Sequence, residues 1–165
     1  GYEKVSALKL CEGLIDIFLP DFKYWDSLRA HRYSGAPDYP KVAKLAIAEM
    51  VRQQPKCEFD SLGLMTRGVI IRHLLLPEGL NDAKSIIKYL YSTYKDSVYL
   101  SIMSQYTPFG DLEKFPELTK KVLKKDYDKL IDFAISLGTE NAFVQDGESA
   151  DESFIPDFSG QGIVK

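Results

Sequence analysis

Two kinds of apolar pattern alternate along this chain. The runs "LIDIFLPDFK" (14–23), "GVIIRHLLLP" (68–77) and "SVYLSIMSQYTP" (97–108) are nearly continuous in apolar residues. Short runs rich in Val, Ile and Leu read as strands buried on at least one face. Between and after them the period lengthens. "PDYPKVAKLAIAEMVRQQ" predicts an amphipathic helix with Asp38 as N-cap and Pro40 in its first turn. "LNDAKSIIKYLYSTY" predicts a second, capped by Asn81 or Asp82, with Ile86, Ile87, Leu90 and Tyr94 on one side. A long loop with a short helical turn near "PELTKKV" leads to a third, "KDYDKLIDFAISLG", closed by Gly138, and "AFVQD" reads as a last short strand.

Ahead of the first strand, Val5, Leu8 and Cys11 fall at helical spacing, with Gly13 as C-cap. This helix has no capping segment before it. It reads as a helix entered partway through a longer protein, or as a native terminus left after tag removal. "CEFDSLGLMTRG" predicts a surface excursion with a small hairpin around Ser61–Gly63. Strands alternating with helices define an α/β chain of parallel βα units, and two architectures satisfy that: a doubly wound open sheet, or a segment of a (βα) barrel. No Gly-rich phosphate loop follows any strand. Residues 1–145 form the domain, and 146–165 an acidic, partly mobile tail, either anchored back on the body by Phe154, Ile155 and Phe158 or left free.

Composition narrows the function classes. The 165 residues carry a net charge of -3, which gives no bias toward nucleic acid or anionic lipid. No apolar run is long enough to span a bilayer, and no signal peptide is evident. Cys11 and Cys57 lie in no metal spacing and read as reduced thiols of a cytoplasmic protein.

In parallel α/β folds the chemistry collects beyond the carboxyl ends of the strands. Alternation places Leu19, Asp21 and Lys23 on one face of the first strand. Arg72 shares a face with Ile70 and Leu74 on the second, with His73 turned to the helix layer as a packing residue; Gln105 shares a face with Met103 on the third. If these faces meet, two cations, one carboxylate and one amide converge on a ligand carrying a carboxylate or ribose hydroxyls. The plainer readings are an ion pair where a strand meets water, and an arginine capping a helix end. His31, in "RAHRYSG", reads as a surface loop residue.

Taken together, "DIFLPDFKYWD", "RYSGAPDYPKVAKLAIAEM", "GLMTRGVIIRHLLLPEGLNDAKSIIKYL", "VYLSIMSQYTPFG" and "FIPDFSGQGI" resemble radical S-adenosylmethionine (SAM) proteins related to the pyruvate formate-lyase activating enzyme. The resemblance covers nearly the whole chain. It implies the carboxyl-terminal half of a partial TIM-like (βα)6 barrel. In such an enzyme a 4Fe–4S cluster and SAM generate a 5′-deoxyadenosyl radical, and the partner is a glycyl radical enzyme. By the same resemblance Asp21 and Lys23 lie near the SAM carboxylate and an associated monovalent cation. Arg72 meets the ribose, Leu74 lines the same wall, and Gln105 stands near the adenine. The CxxxCxxC cluster loop and the Gly-Gly-Glu-type motif are absent, so the chain by itself is expected to hold no cluster and to contain no catalytic residue. A half-barrel also predicts an exposed sheet edge that favours self-association. Two other classes stay open: a barrel lyase with Lys23 as Schiff-base nucleophile, and a non-catalytic interaction module.

Overall fold

The computed structural model describes residues 1–144. The expectations for the tail, and for residue 145 of the domain, lie outside the described residues. The elements in chain order are α1 (Val5–Leu10), β1 (Ile17–Phe18), α2 (Ser27–Ser34), α3 (Tyr39–Gln53), β2 (Glu58–Phe59), β3 (Met65–Leu74), α4 (Leu80–Tyr94), β4 (Tyr99–Met103), α5 (Lys124–Ser136) and β5 (Ala142–Val144). Short 3-10 turns occupy Lys95–Ser97 and Pro116–Thr119.

Four strands pair in the order β1-β3-β4-β5, all parallel. The short β2 folds antiparallel onto β3 as the arm of a hairpin. That hairpin turns where the sequence places it: Asp60 Oδ1 accepts from the amides of Leu62 and Leu64, and Gly63 takes the left-handed φ of 77°. The protein is therefore α/β with a mostly parallel sheet.

Strand alternation divides the sheet into two unlike faces. Phe18, Phe22, Val69, Ile71, Leu75, Leu100 and Ile102 are buried with Ala43, Ile47, Ile86, Ile87 and Leu130 of the helices in one core. The intervening residues stay partly open: Leu19 is 51% exposed and Phe143 46%. Across this second face Ile17–Gly68, Asp21–Arg72, Ser101–Arg72 and Ser101–Phe143 are register partners. Three aromatics mark its amino-terminal half, with Phe59 edge-on to Tyr99 and Tyr99 stacked on Phe143, each at 5.3 Å between ring centres.

Several local expectations change. The first apolar run is not one strand. Pro20 has no amide to donate, and the regular strand stops at Phe18 before the pairing resumes at Asp21–Arg72. The stretch containing His31 is a helix, α2, not a loop. Asp26 caps its start by accepting from the Leu28 amide at 2.8 Å, and Gly35 closes it at φ 63°. α1 ends at Leu10 with Cys11 as its cap residue, two positions before Gly13. Asp38 does occupy the N-cap position of α3, but its carboxylate receives the Tyr2 hydroxyl instead of the helix amides. Neither Asn81 nor Asp82 caps α4; Gly79 takes that position.

Candidate functional site

β3 runs through the middle of the site. Its ten residues carry Arg72 and Leu74 outward on the open face and His73 into the helix layer, where the imidazole is 3% exposed. On the neighbouring edge strand, the backbone of 20–22 continues the parallel ladder past Pro20. The Arg72 amide donates to the Pro20 carbonyl and the Phe22 amide to the Arg72 carbonyl, both at 2.9 Å. This fixes which way each side chain points. Phe22 is driven into the core with no exposure, so Asp21 and Lys23 on either side of it face outward.

The structure brings Asp21, Lys23 and Arg72 together. Arg72 Nε lies 2.8 Å from Asp21 Oδ1, and Lys23 Nζ lies 3.7 Å from Asp21 Oδ2. The Arg72 contact is an ion pair and not an aligned hydrogen bond, since its buried Nε–H has no properly directed acceptor. Among the described residues one carboxylate thus faces two cations and leaves one positive charge uncompensated. Their side chains remain 55% (Lys23), 42% (Arg72) and 29% (Asp21) accessible. Leu74 is half-buried and pairs in register with Met103. Gln105 lies two residues beyond the end of β4, and its Oε1 is buried without a hydrogen-bond partner among the described residues. Such an acceptor is costly unless something donates to it.

The backbone of 21–26 is held by side chains from elsewhere in the chain. The Tyr39 hydroxyl of α3 donates to the Asp21 carbonyl and accepts from the Lys23 amide, each at 2.9 Å. Burial raises the Tyr39 phenol above its ordinary value, so it remains a hydroxyl. His73 Nδ1 lies 2.8 Å from the Phe22 carbonyl. A carbonyl only accepts, which fixes the proton on Nδ1, and burial lowers the imidazole below its ordinary 6.5. Asp82 of α4 accepts from the amides of Trp25 at 2.9 Å and Asp26 at 2.8 Å. Sequence reasoning missed these supporting roles of Tyr39 and Asp82. Only the apolar run flanking each residue was informative, and it predicted a helix without saying what the helix holds.

Loops from three strand ends close over this end of the sheet. Arg29 of α2 donates to the Glu78 carbonyl after β3 at 2.8 Å. Arg32 and Tyr33 of α2 both reach Glu117, in the turn after β4, at 2.9 and 2.8 Å. The paired Arg32 holds the Glu117 carboxyl at about 2.

Fold and site together define an α/β protein with a charged cluster at the carboxyl ends of parallel strands, the usual place for a small-ligand site in such folds. Over 133 residues the chain is 24% identical to an uncharacterized protein of Methanocaldococcus jannaschii, a match covering 81% of this chain and 35% of that protein. The chain therefore spans about a third of the length of the curated relative it matches. No family model matches, and no solved structure does. No described helix is long and apolar enough to cross a membrane.

Proposed function

We propose that the chain is the carboxyl-terminal part of a radical SAM iron–sulfur enzyme related to the pyruvate formate-lyase activating enzyme, and that Asp21, Lys23, Arg72, Leu74 and Gln105 are its share of the SAM site. One observation carries this reading. Among the described residues two cations with an incomplete counter-charge stand at the carboxyl ends of adjacent parallel strands, and an amide oxygen without a donor lies just beyond the end of the next strand. SAM brings a carboxylate, ribose hydroxyls and an adenine amino group. Lys23 and Arg72 would take the anionic and hydroxyl groups, Leu74 the flat apolar surface, and Gln105 Oε1 the amino donor.

The donor set does not fit the cluster. Among the described residues no three His, Cys, Asp or Glu side chains gather in a metal-holding group. Cys11 caps α1, and Cys57 lies before β2 with its thiol toward the Ser97 carbonyl. An iron–sulfur cluster belongs, in this reading, to a part of the parent outside this sequence. When bound there it would cleave SAM reductively to the 5′-deoxyadenosyl radical, for use on a glycyl radical enzyme. The half-barrel architecture is part of the same proposal, and the open face would form one wall of its lumen. A second reading, a non-catalytic module docking through that face, is favoured by the half-exposed Leu19 and Phe143.

Titration of the purified chain with SAM, followed by amide NMR, tests the assignment. Without a cluster, exposed charge contacts supply about 0–1 kcal/mol each, so binding on the millimolar scale is expected. Shifts at Asp21, Lys23, Arg72 and Gln105 are expected, lost in Arg72→Ala. No shift at these residues at about 10 mM SAM would refute the site. Anaerobic reconstitution with iron and sulfide should yield no cluster on this chain, and a stoichiometric one would overturn the division of labour.

A further inference from the structure

We infer that Tyr39 is the positioning residue of the Asp21–Lys23 pair, its hydroxyl standing in for a neighbouring strand along the site end of the sheet edge. The inference rests on the preceding reading only in treating that pair as the site. Among the described residues β1 is an edge strand. Backbone groups in an extended strand alternate sides, and Pro20 and Phe22 are bonded to β3 through Arg72. The groups of Asp21 and Lys23 therefore point away from the sheet. At a bare edge, the Asp21 carbonyl and Lys23 amide are the spaced acceptor and donor that a further strand would take.

Tyr39 takes both. One hydroxyl oxygen donates to Asp21 O and accepts at 2.9 Å from Lys23 N, as a single residue of an adjacent parallel strand would through its N–H and C=O. The ring is fixed in turn. It is 6% exposed, lies edge-on to Tyr24 at 5.5 Å and packs against Phe22 at 6.4 Å, with Tyr2 stacked on it at 5.7 Å. A second side chain treats the other end of the strand alike, Gln54 Nε2 donating to the Ile15 carbonyl at 2.7 Å. The edge is thus closed on both sides of Ile17–Leu19. This bears on the expected self-association: any added strand can pair with the short central part and cannot reach the site.

Locking the peptides on both sides of Phe22 determines where the flanking side chains start. Asp21 must lie within reach of Arg72 on one side and Lys23 on the other, and a rotation of the 21–22 peptide would carry the carboxylate off both. Tyr39→Phe keeps the ring and removes only the hydroxyl. In the variant the Lys23 amide should exchange with solvent about tenfold faster. The core amides of Ile71 and Leu100 should keep their protection, and the Asp21 carboxyl carbon resonance should move. A purely structural role would lower protection everywhere and leave no signature at Asp21. Unchanged Lys23 exchange and an unmoved Asp21 carboxyl resonance would overturn the inference. Should the variant fail to fold, the wild-type hydroxyl proton decides. A slowly exchanging Tyr39 proton with a cross-peak to the Lys23 amide supports it, and its absence at low temperature sinks it. Adding SAM to both proteins separates the two claims, because silence from SAM in the wild type removes the cofactor reading while the exchange data still decide Tyr39.

Discussion

Asp82→Ala isolates the contribution of one side chain to the site's supporting frame. The Asp82 carboxylate accepts from two consecutive amides, Trp25 at 2.9 Å and Asp26 at 2.8 Å, 57 and 56 residues away in sequence. Hydrogen bonds to a charged group contribute about 1.5–3 kcal/mol each when buried. Here one is half-buried and the other exposed, so the pair should sit at the low end, and its loss should cost about 2–3 kcal/mol. For a domain of this size that is a fall of about 6–10 °C in Tm. Asp82→Asn keeps one acceptor and should lose about 1 kcal/mol. The assay has a built-in local reporter. Trp25 is the only tryptophan, with Lys44 Nζ 3.5 Å above its ring and Tyr89 at 5.6 Å. Its emission should shift in native buffer before any change in far-UV circular dichroism, because the 24–26 segment loosens while the sheet stays intact. A stability change below about 0.5 kcal/mol, with unaltered Trp25 emission, would refute the claim that Asp82 anchors this segment.

Stability should fall in two stages on acidification. Burial holds His73 below its ordinary 6.5, so beneath that pH the unfolded chain takes up a proton that the folded chain refuses. Glu49, bonded by Arg52 and Gln53, and Glu117, bonded by Arg32, are held at about 2 against an ordinary 4.5. Their contribution is complete above 4.5 and disappears as pH falls toward 2. Urea midpoints at about pH 7.5, 5.5 and 3.5 check this; a wild-type midpoint that stays flat over the first interval would exclude the His73 part. Gly68→Ala should destabilise by about 2–3 kcal/mol, because Gly68 has φ 138° and an added Cβ would lie 2.7 Å from Cys57 Sγ. Cys57→Ala in that background should recover only the part due to Sγ, since Cys57 Cα and Cβ would still lie 3.1 and 3.2 Å from the added methyl. Full recovery would mean that the backbone carries no strain.

The sequence pattern located the layers of this fold better than its joints. Helices α3, α4 and α5 stand within about two residues of the amphipathic stretches that predict them, because each buries a continuous apolar stripe. α2 escaped because only Ala30 is fully buried and its composition is polar. The signal that finds it is punctuation: a capping Asp26 and a left-handed Gly35 nine residues on. The first strand was read too long because apolar content does not register Pro20. The acid in α4's first turn looked like a cap because local capping is the common use of such a residue. Its real partners, Trp25 and Asp26, are brought to it only by the folded chain.

The site shows the same division one level down. That Asp21 and Lys23 share a face, and that Arg72 shares a face with Leu74, follows from a period of two and needs no structure. That the faces coincide depends on register, and register was set by β3 accepting and donating around Arg72 on one side of Pro20–Phe22. With Phe22 buried at the centre, the peptides beside it are consumed by β3 inward and by the Tyr39 hydroxyl outward. Asp21 and Lys23 then present their side chains from the strand end onto the open face. A carboxylate and an ammonium thus end this apolar strand where the two peptides flanking Phe22 are hydrogen-bonded from both directions. The strand terminates in charge with the peptides beside Phe22 paired, and among the described residues the cluster keeps a positive excess.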